Sequence, residues 1–592
     1  MPINTNMKEK DLSIQAIGIT KKYPKNKIGL QPLSLEIKNK SFVALMGPSG
    51  CGKSTLLKCL NGDNPATSGE VYINGLSLID NYDLVKKSIG YVPQDDIIHR
   101  ELSVYKTLFY AAKLRLPDGT PKEEIDIRIN KVLKSLKLNQ HDQGNQQGQK
   151  DIKDKKVKEL SGGQRKRISI AVELLTEPSI LFLDEPTSPL DPETIDSFLK
   201  SLRDLAQEGT TIIMVTHKPE DLNYVDEVVF LGVKGHLVYK GLPNKITEHF
   251  NVDSIIEVYS KMSDLEKVKK NYHPPKEDSH SLNLNPKLNK RRPDSSFQQL
   301  YWLAKRYLNI KLNDHSNLLL LLLQPIIIGG LVSLVFSEFR IGVIFLTAIS
   351  AIWFGVSNSA KEIVSELPIY KRERMYNLNI NTYIVSKLLI LSLIALIQVV
   401  VFVAIIYFNF KINAITEFPE TYLRPFWESV GFLFMISCSA TLIGLFLSSY
   451  FSNTEKVMTV VPITLMPQIM LAGVMTKLDT RFIEILSFFT LGRWGTEGFA
   501  RLQDTYFENS AIETESVLIP EFNPDGYHKN DCKCEASGAL NQLGLYDESL
   551  IDKGVLIGGA FNNLATNVLA VLILSFIMYL LIFISLSKKD SI

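Results

Sequence analysis

The stretch that decides the fold is "SFVALMGPSGCGKSTLLKCLNG", residues 41–62. It opens as an apolar run suited to a buried parallel strand, turns through glycines, and continues with helical periodicity. Gly47, Gly52, Lys53 and Ser54 satisfy G-x-x-x-x-G-K-[ST] in the strand–loop–helix context that this motif needs. Across Gly47, Pro48, Ser49, Gly50, Cys51 and Gly52 the backbone can wrap a phosphate chain, so that its N–H groups and the following helix N-terminus meet the negative charge. Lys53 then neutralises the β and γ phosphates, the Ser54 hydroxyl is a hard ligand for Mg²⁺, and Thr55 completes the loop. An α/β fold that binds a nucleoside triphosphate, ATP, with Mg²⁺ is the expectation.

A second stretch supplies the chemistry. "SILFLDEPT", residues 179–187, is a buried strand ending in Asp184 and Glu185. Both carboxylates therefore emerge at the carboxyl edge of a parallel sheet, where such folds place their ligands. Asp184 is set to hold the metal through its water shell, and Glu185 to act as general base on the attacking water.

Working outward, 592 residues exceed what one core can organise, so at least two domains are expected. Sixty-five Lys and Arg against 63 Asp and Glu give no support for a nucleic-acid partner. The average hides a split: residues 1 to about 315 are polar and charged, whereas much of 318–586 is uncharged and apolar. The N-terminal "MPINTNMKEKDLSI" has no apolar core or cleavage site of a signal peptide, which predicts that the first domain stays in the cytosol. Cys51 and Cys59 in that half are expected to be reduced.

At these residues the first domain resembles the nucleotide-binding domain of ATP-binding cassette (ABC) proteins, over residues 12–250, with a helical subdomain at about 95–178. The resemblance implies further roles. Tyr23 in "TKKYP" stacks on adenine, Gln94 in "YVPQDD" ligates Mg²⁺, and His217, ending "TTIIMVTH", contacts the γ phosphate. Ser161, Gly162, Gly163 and Gln164 of "LSGGQ" face the ATP held by another copy, as does Asp191 of the loop "SPLD". A helix start with a hydroxyl and two glycines suits a γ phosphate, since free N–H groups and the dipole both point outward. One phosphate loop and one such turn per chain imply that two copies, or one copy and a relative, sandwich two ATP molecules. Pro189 departs from the family pattern and stiffens the loop carrying Asp191. Residues 139–156, poor in apolar side chains, read as a mobile loop.

Residues 251–296 turn polar and proline-rich and read as a linker. An amphipathic connecting helix at about 297–315 follows, then a membrane domain at 316–592. Runs near the roughly 20 apolar residues that a bilayer requires predict an all-α domain of six spans, at about 317–336, 341–360, 384–408, 427–450, 456–474 and 564–586. Lys305, Arg306, Lys311, Lys361, Lys371, Arg372, Arg374, Lys456, Lys588 and Lys589 fall on the predicted inner side, against Arg340, Lys411 and Arg424 outside.

The segment 361–387 between the second and third spans is too polar to cross. It resembles the coupling helix of the G-subfamily half-transporters, at about 361–380 here, with Glu366, Glu373, Tyr383 and Lys387 at the matching positions. That subfamily also places its nucleotide-binding domain first and has an external region between the last two spans, about 475–560 here. Cys532 and Cys534 in that region are either paired across a dimer or free, since a bridge between them within one chain is strained. Phe354, Thr464 and Gln468 are the candidate contacts for cargo, and the spans lack deep ionisable groups, which favours a hydrophobic or lipid-like compound over an ion. The resemblance implies an ATP-driven exporter in a membrane, with the nucleotide-binding domain cytoplasmic and a second half-transporter, identical or not, as partner. Amino-acid usage points to a bacterial inner membrane. A mechanical ATPase acting on membrane or envelope proteins, and an exporter of polysaccharide or peptide antibiotics, are the alternatives.

Overall fold

The computed structural model describes residues 12–138, 151–261, 296–336, 341–413, 426–474, 480–515 and 564–589, apart from 189, 191 and 377. The chain divides into two compact units: Met1–Trp302 with Lys371–Leu378 and Asp590–Ile592, and Leu303–Tyr370 with Asn379–Lys589.

The first unit is built on a six-stranded sheet. Its strands are β3 (Phe42–Met46), β6 (Ile89–Val92), β7 (Ile180–Asp184), β8 (Thr211–Val215), β9 (Glu227–Gly232) and β10 (His236–Gly241), in the order β10-β9-β3-β8-β7-β6. All pairings are parallel except the β9–β10 hairpin at one edge. Alternate residues of the same strands feed opposite cores: Phe42, Ala44 and Met46 join one, Val43 and Leu45 the other. That is why the strands read as unbroken apolar runs; a parallel sheet is covered on both faces.

A second, antiparallel sheet of order β2-β1-β4-β5 comprises β1 (Ile14–Tyr23), β2 (Lys27–Ile37), β4 (Ser68–Ile73) and β5 (Leu76–Ser77). The helices of this unit that matter below are α1 (Lys53–Asn61), α2 (Val104–Arg115), α3 (Lys122–Ser135), α4 (Gly162–Leu174), α5 (Pro192–Gln207) and α6 (Ile255–Lys261). α2, α3 and α4 all fall within the stretch 95–178.

Two expectations for this unit need correction. The predicted linker begins too early: α6 lies inside 251–296, with Val258 fully buried and Tyr259 edge-on to Phe230 at 5.4 Å. Its charged residues masked two apolar anchors. Of the predicted mobile loop, residues 139–150 lie outside the described residues, but Ile152–Asp154 and Val157–Glu159 form 3-10 turns. Asp151 caps the first by accepting from Lys153 N at 3.1 Å, and Val157 is fully buried.

The second unit is helical. With the flanking connecting helix, its elements are α7 (Ser296–Asn313), α8 (His315–Val335), α9 (Ile341–Ser359), α10 (Leu367–Arg374), α11 (Ile380–Asn413), α12 (Phe426–Tyr450), α13 (Thr454–Met470), α14 (Arg481–Ser487), α15 (Leu491–Glu515) and α16 (Leu564–Ser587). The unit boundaries fall within α7 and α10. Among the described residues, five helices are long and apolar enough to cross a membrane, corresponding to α8, α9, α11, α12 and α16. The remaining predicted span is α13, which has 17 residues and carries Pro462 and Pro467 inside it. At 1.5 Å per residue it reaches about 25 Å, short of the roughly 30 Å hydrocarbon core.

Polar side chains join the apolar helices. Gln398 Nε2 on α11 donates to Leu321 O on α8 at 2.7 Å, while Asn358 Nδ2 on α9 donates to Gln398 Oε1 at 2.5 Å. α9 and α12 cross closely because Gly355 and Gly444 have no side chain; a Cβ on either would run into the other helix. The helix expected over about 361–380 is shorter, since α10 spans only Leu367–Arg374. Pro368 sits in its first turn, where a missing N–H costs nothing, and so marks a start. The preceding turn is held differently: Ile363 N and Val364 N both donate to Ser448 Oγ at 2.9 Å.

Candidate nucleotide site

β7, β8 and β3 are neighbours in the sheet, with Asp184 paired to Val215 and Val215 to Leu45. Their carboxyl ends therefore lie side by side, and three separate stretches of sequence meet there. After β3 the chain turns through Gly47, Gly50 and Gly52 at φ of 142°, 74° and 107°. A Cβ on Gly47 would meet Cys51 Sγ at 2.8 Å, and one on Gly52 would meet Gly29 O at 2.5 Å. Only glycine fits both conformation and space at these two positions. Lys53 is buried, and its Nζ donates to Gly47 O at 2.8 Å and Pro48 O at 3.0 Å, folding back over the loop. Burial pushes the Cys51 thiol up, against the opposing pull of Lys53.

Ser54 Oγ donates to Asp184 Oδ1 at 3.1 Å. Burial raises the Asp184 carboxyl above its ordinary range, and Glu185 adds to that push while the Ser54 hydroxyl opposes it. A buried carboxylate beside a hydroxyl is a hard-oxygen donor pair, which fits Mg²⁺. Glu185 has a φ of 47°, the left-handed region that side chains other than glycine rarely adopt. Its N donates to Val215 O at 3.1 Å, which holds that conformation in place. Gln94 Nε2 donates to Glu185 Oε2 at 3.1 Å, and His217 Nδ1 stands 3.8 Å from Glu185 Oε1. Gln94 and His217 are exposed, so this corner opens outward. Tyr23 is half-buried; its hydroxyl is 3.3 Å from Thr55 Oγ1, and its ring packs where a Cβ on Gly29 would be.

Ser161 is the N-cap of α4 and forms a capping box. Its Oγ accepts from Gln164 N at 3.2 Å, and Gln164 Oε1 accepts from Ser161 N at 3.2 Å. Ser161 is exposed, and Gly162 and Gly163 follow it at the helix start. Asp191 and Pro189 lie outside the described residues.

Five side chains that sequence reasoning missed are engaged in the interior of the first unit. Lys166 on α4 is fully buried. Asp221, also fully buried, accepts from Thr187 Oγ1 at 3.0 Å and Thr216 Oγ1 at 2.5 Å, tying the loop after Glu185 to the strand before His217. Arg115 and Glu173 form a buried ion pair at 3.0 Å. Tyr376 completes that cluster. Their signal was weak for a definite reason: Lys166 stands in the basic run "RKR" and Glu173 next to apolar residues of a helix, so each reads as a solvated charge.

Glu366 pairs with Lys387 and accepts from Tyr383 Oη at 3.0 Å, all within the second unit. Glu373 belongs to the segment Lys371–Leu378, which groups with the first unit. The three cargo candidates are engaged inside their own chain. Phe354 is fully buried and edge-on to Phe402 at 5.4 Å. Thr464 Oγ1 donates to Val460 O at 3.0 Å, and Gln468 Oε1 accepts from Gly492 N at 3.0 Å. Within the second unit, α15 carries a row of buried charges, Arg493, Glu497 and Arg501, with Arg501 Nη2 2.7 Å from Glu497 Oε1. Cys532 and Cys534 lie outside the described residues.

The ABC transporter family model matches residues 30–188, and the ABC-2 type transporter model matches residues 298–503. An ABC transporter ATP-binding/permease protein of Mycobacterium tuberculosis is 29% identical over 506 residues, 82% of this chain and 57% of that protein. An ABC transporter G family member of Arabidopsis thaliana is 37% identical over 42% of this chain and 21% of its own length. A broad substrate specificity ATP-binding cassette transporter of Rattus norvegicus is 39% identical over 35% of this chain and 31% of its own length. The matches thus span well under two thirds of each of these relatives. A solved dimeric bacterial ABC transporter cassette aligns with a TM-score of 0.35 and 28% identity, covering 39% of this chain and 98% of that one. The protein is an integral membrane protein of the ABC transporter family, an ABC ATPase domain followed by an ABC-2 type membrane domain, with relatives among the G-family transporters.

Proposed function

We propose that the protein hydrolyses ATP to export a hydrophobic or lipid-like compound, as a dimer of half-transporters with the cassettes in the cytoplasm of a bacterial cell. The observation that carries this reading is the meeting of Ser54, Asp184, Glu185, Gln94 and His217 at one sheet edge beside the phosphate loop.

ATP lies with its adenine on Tyr23 and its phosphates on the N–H groups of residues 47–52 and on Lys53. Ser54, Asp184 and Gln94 would hold Mg²⁺, which supplies screening of the phosphate charge. Glu185 takes a proton from the attacking water as the water oxygen bonds to the γ phosphorus. The bond from that phosphorus to the β–γ bridging oxygen breaks, and ADP and phosphate result. His217 orients the γ phosphate beside Glu185. Ser161, Gly162, Gly163, Gln164 and Asp191 of a second copy close the site from outside, since the exposed start of α4 presents N–H groups and a hydroxyl to an anion. Glu366 and Glu373 transmit closure of the cassettes to the membrane helices.

The test is purified protein in lipid vesicles. Wild type should hydrolyse ATP and move a hydrophobic dye across the bilayer, whereas Glu185→Gln should bind ATP and lose at least about a hundredfold in turnover. Full turnover in Glu185→Gln sinks the catalytic assignment. Hydrolysis with no ATP-dependent movement of lipid or any of a panel of hydrophobic compounds sinks the transport reading.

A further inference from the structure

Lys166 stands one turn into α4, the helix whose N-cap is Ser161, and none of its surface reaches solvent. Its Nζ donates to Pro93 O and to Gln94 O, each at 2.7 Å. These carbonyls follow directly after β6, an edge strand of the six-stranded sheet, where no further strand can pair with them. Both contacts are partly shielded from water, so leaving the two carbonyls without a donor carries a cost. Removing an ammonium from water is also expensive, by several kcal/mol, and is repaid only by good geometry and a favourable field. Both are present here. Burial draws the Lys166 ammonium below its usual range, and Asp96, Asp184, Asp95 and Glu185 oppose that shift. The neighbouring Arg165 Nε lies 3.6 Å from Asp96, so two consecutive cations of α4 grip residues 93–96.

The other end of the grip is the catalytic corner. Gln94, whose carbonyl Lys166 holds, donates its side-chain amide to Glu185 at 3.1 Å. The path from the capped glycine turn at Ser161 to Glu185 thus runs through the Lys166 side chain, the Gln94 carbonyl and the Gln94 side-chain amide. We infer that Lys166 is a positioning residue for hydrolysis: it fixes Gln94 against Glu185 and makes the signature turn and the glutamine loop move as one piece. The turn that would read a second copy's nucleotide is thereby tied to the glutamine that serves the chain's own. This rests on the assignment of Glu185 and Gln94 to catalysis.

A double-mutant cycle on the full-length protein tests it. Lys166→Met should lower kcat about tenfold or more while leaving the KM for ATP within about threefold. Lys166→Gln, whose amide offers two N–H donors, should recover most of that loss. Because Lys166 acts through Gln94, Lys166→Met in the Gln94→Ala background should reduce kcat by no more than about twofold further. Multiplying losses, or a change in thermal stability with kcat intact, overturns the inference. If Lys166→Met does not reach the membrane, Lys166→Gln carries the cycle: any loss it shows must vanish in the Gln94→Ala background, and a loss that persists there is contrary. Glu185→Gln run alongside separates the two claims. Full turnover in that variant overturns the catalytic assignment and this inference together; lost turnover in it, with independent Lys166 and Gln94 effects, overturns this inference alone.

Discussion

Tyr376 and Glu173, 203 positions apart in the chain, share a buried hydrogen bond in which the phenol donates to Oε2 at 2.6 Å. Both belong to the first unit. The Tyr376 ring also lies under the Arg115 guanidinium, with Cζ 4.0 Å from its centroid, and Arg372 Nε stands 3.6 Å from Glu173 Oε1. Two guanidinium groups therefore depend on one carboxylate, all of them out of solvent.

Removing that carboxylate leaves two buried cations without their shared counter-charge. Glu173→Ala should destabilise the first unit by about 3–5 kcal/mol, the usual consequence of breaking a buried pair from one side. Tyr376→Phe, which removes the hydroxyl shared by Glu173 and Ile89 O and keeps the ring under Arg115, should cost about 1.5–3 kcal/mol. Thermal unfolding of the two purified variants checks both; equal shifts would show that charge is not what organises the cluster.

The same cluster sets an acid limit. Burial alone would raise the Glu173 carboxyl, but Arg115, Arg372 and Tyr376 outweigh burial and hold it below the ordinary range. A depressed folded-state value means that the stabilisation is complete above the unfolded value, near about pH 4.3. It is lost as pH falls through the folded value. Wild type should thus lose stability below about pH 4.3 more steeply than Glu173→Gln, which has no proton to gain there. Parallel pH–stability curves would contradict this.

The glycines of the phosphate loop should not be equivalent. An added Cβ at Gly52 meets backbone and at Gly50 meets nothing within 4 Å, although both have positive φ. Gly50→Ala should therefore carry only the conformational cost of about 1–2 kcal/mol, whereas Gly52→Ala should abolish ATP binding. Nucleotide titration by fluorescence distinguishes them.

Charge reversal in the coupling segment makes a separate prediction. Glu373→Lys should leave ATP binding by the cassette intact and remove the acceleration of hydrolysis by cargo. Normal stimulation in that variant would argue against a transmitting role for the segment.

How far the sequence reaches is clear from particular residues. The phosphate loop and the strand ending in Asp184 and Glu185 were both legible, because each depends on a local pattern of apolar run followed by a glycine turn or polar terminus. The meeting of Gln94, Glu185 and His217 was legible only through the resemblance, since strand order decides it and strand order is not a local property. Lys166, Asp221 and Glu173 were not legible at all. Their roles come from burial against segments remote in sequence, and nothing in their neighbours separates a buried charge from a solvated one. In the helical unit the apolar runs located the spans, but Pro462 and Pro467 sit in a helix shorter than the hydropathy pattern implied.

The proposed function depends on one chain's phosphate loop being completed by another's signature turn. Its most direct test mixes two inactive variants before assembly: Ser161→Arg, which keeps a sound phosphate loop, and Lys53→Ala, which keeps a sound signature turn. The account predicts that neither hydrolyses ATP alone and that co-assembled chains regain turnover, because each mixed pair contains one intact site. Co-assembled chains as inactive as their parents, or Ser161→Arg active by itself, would contradict it.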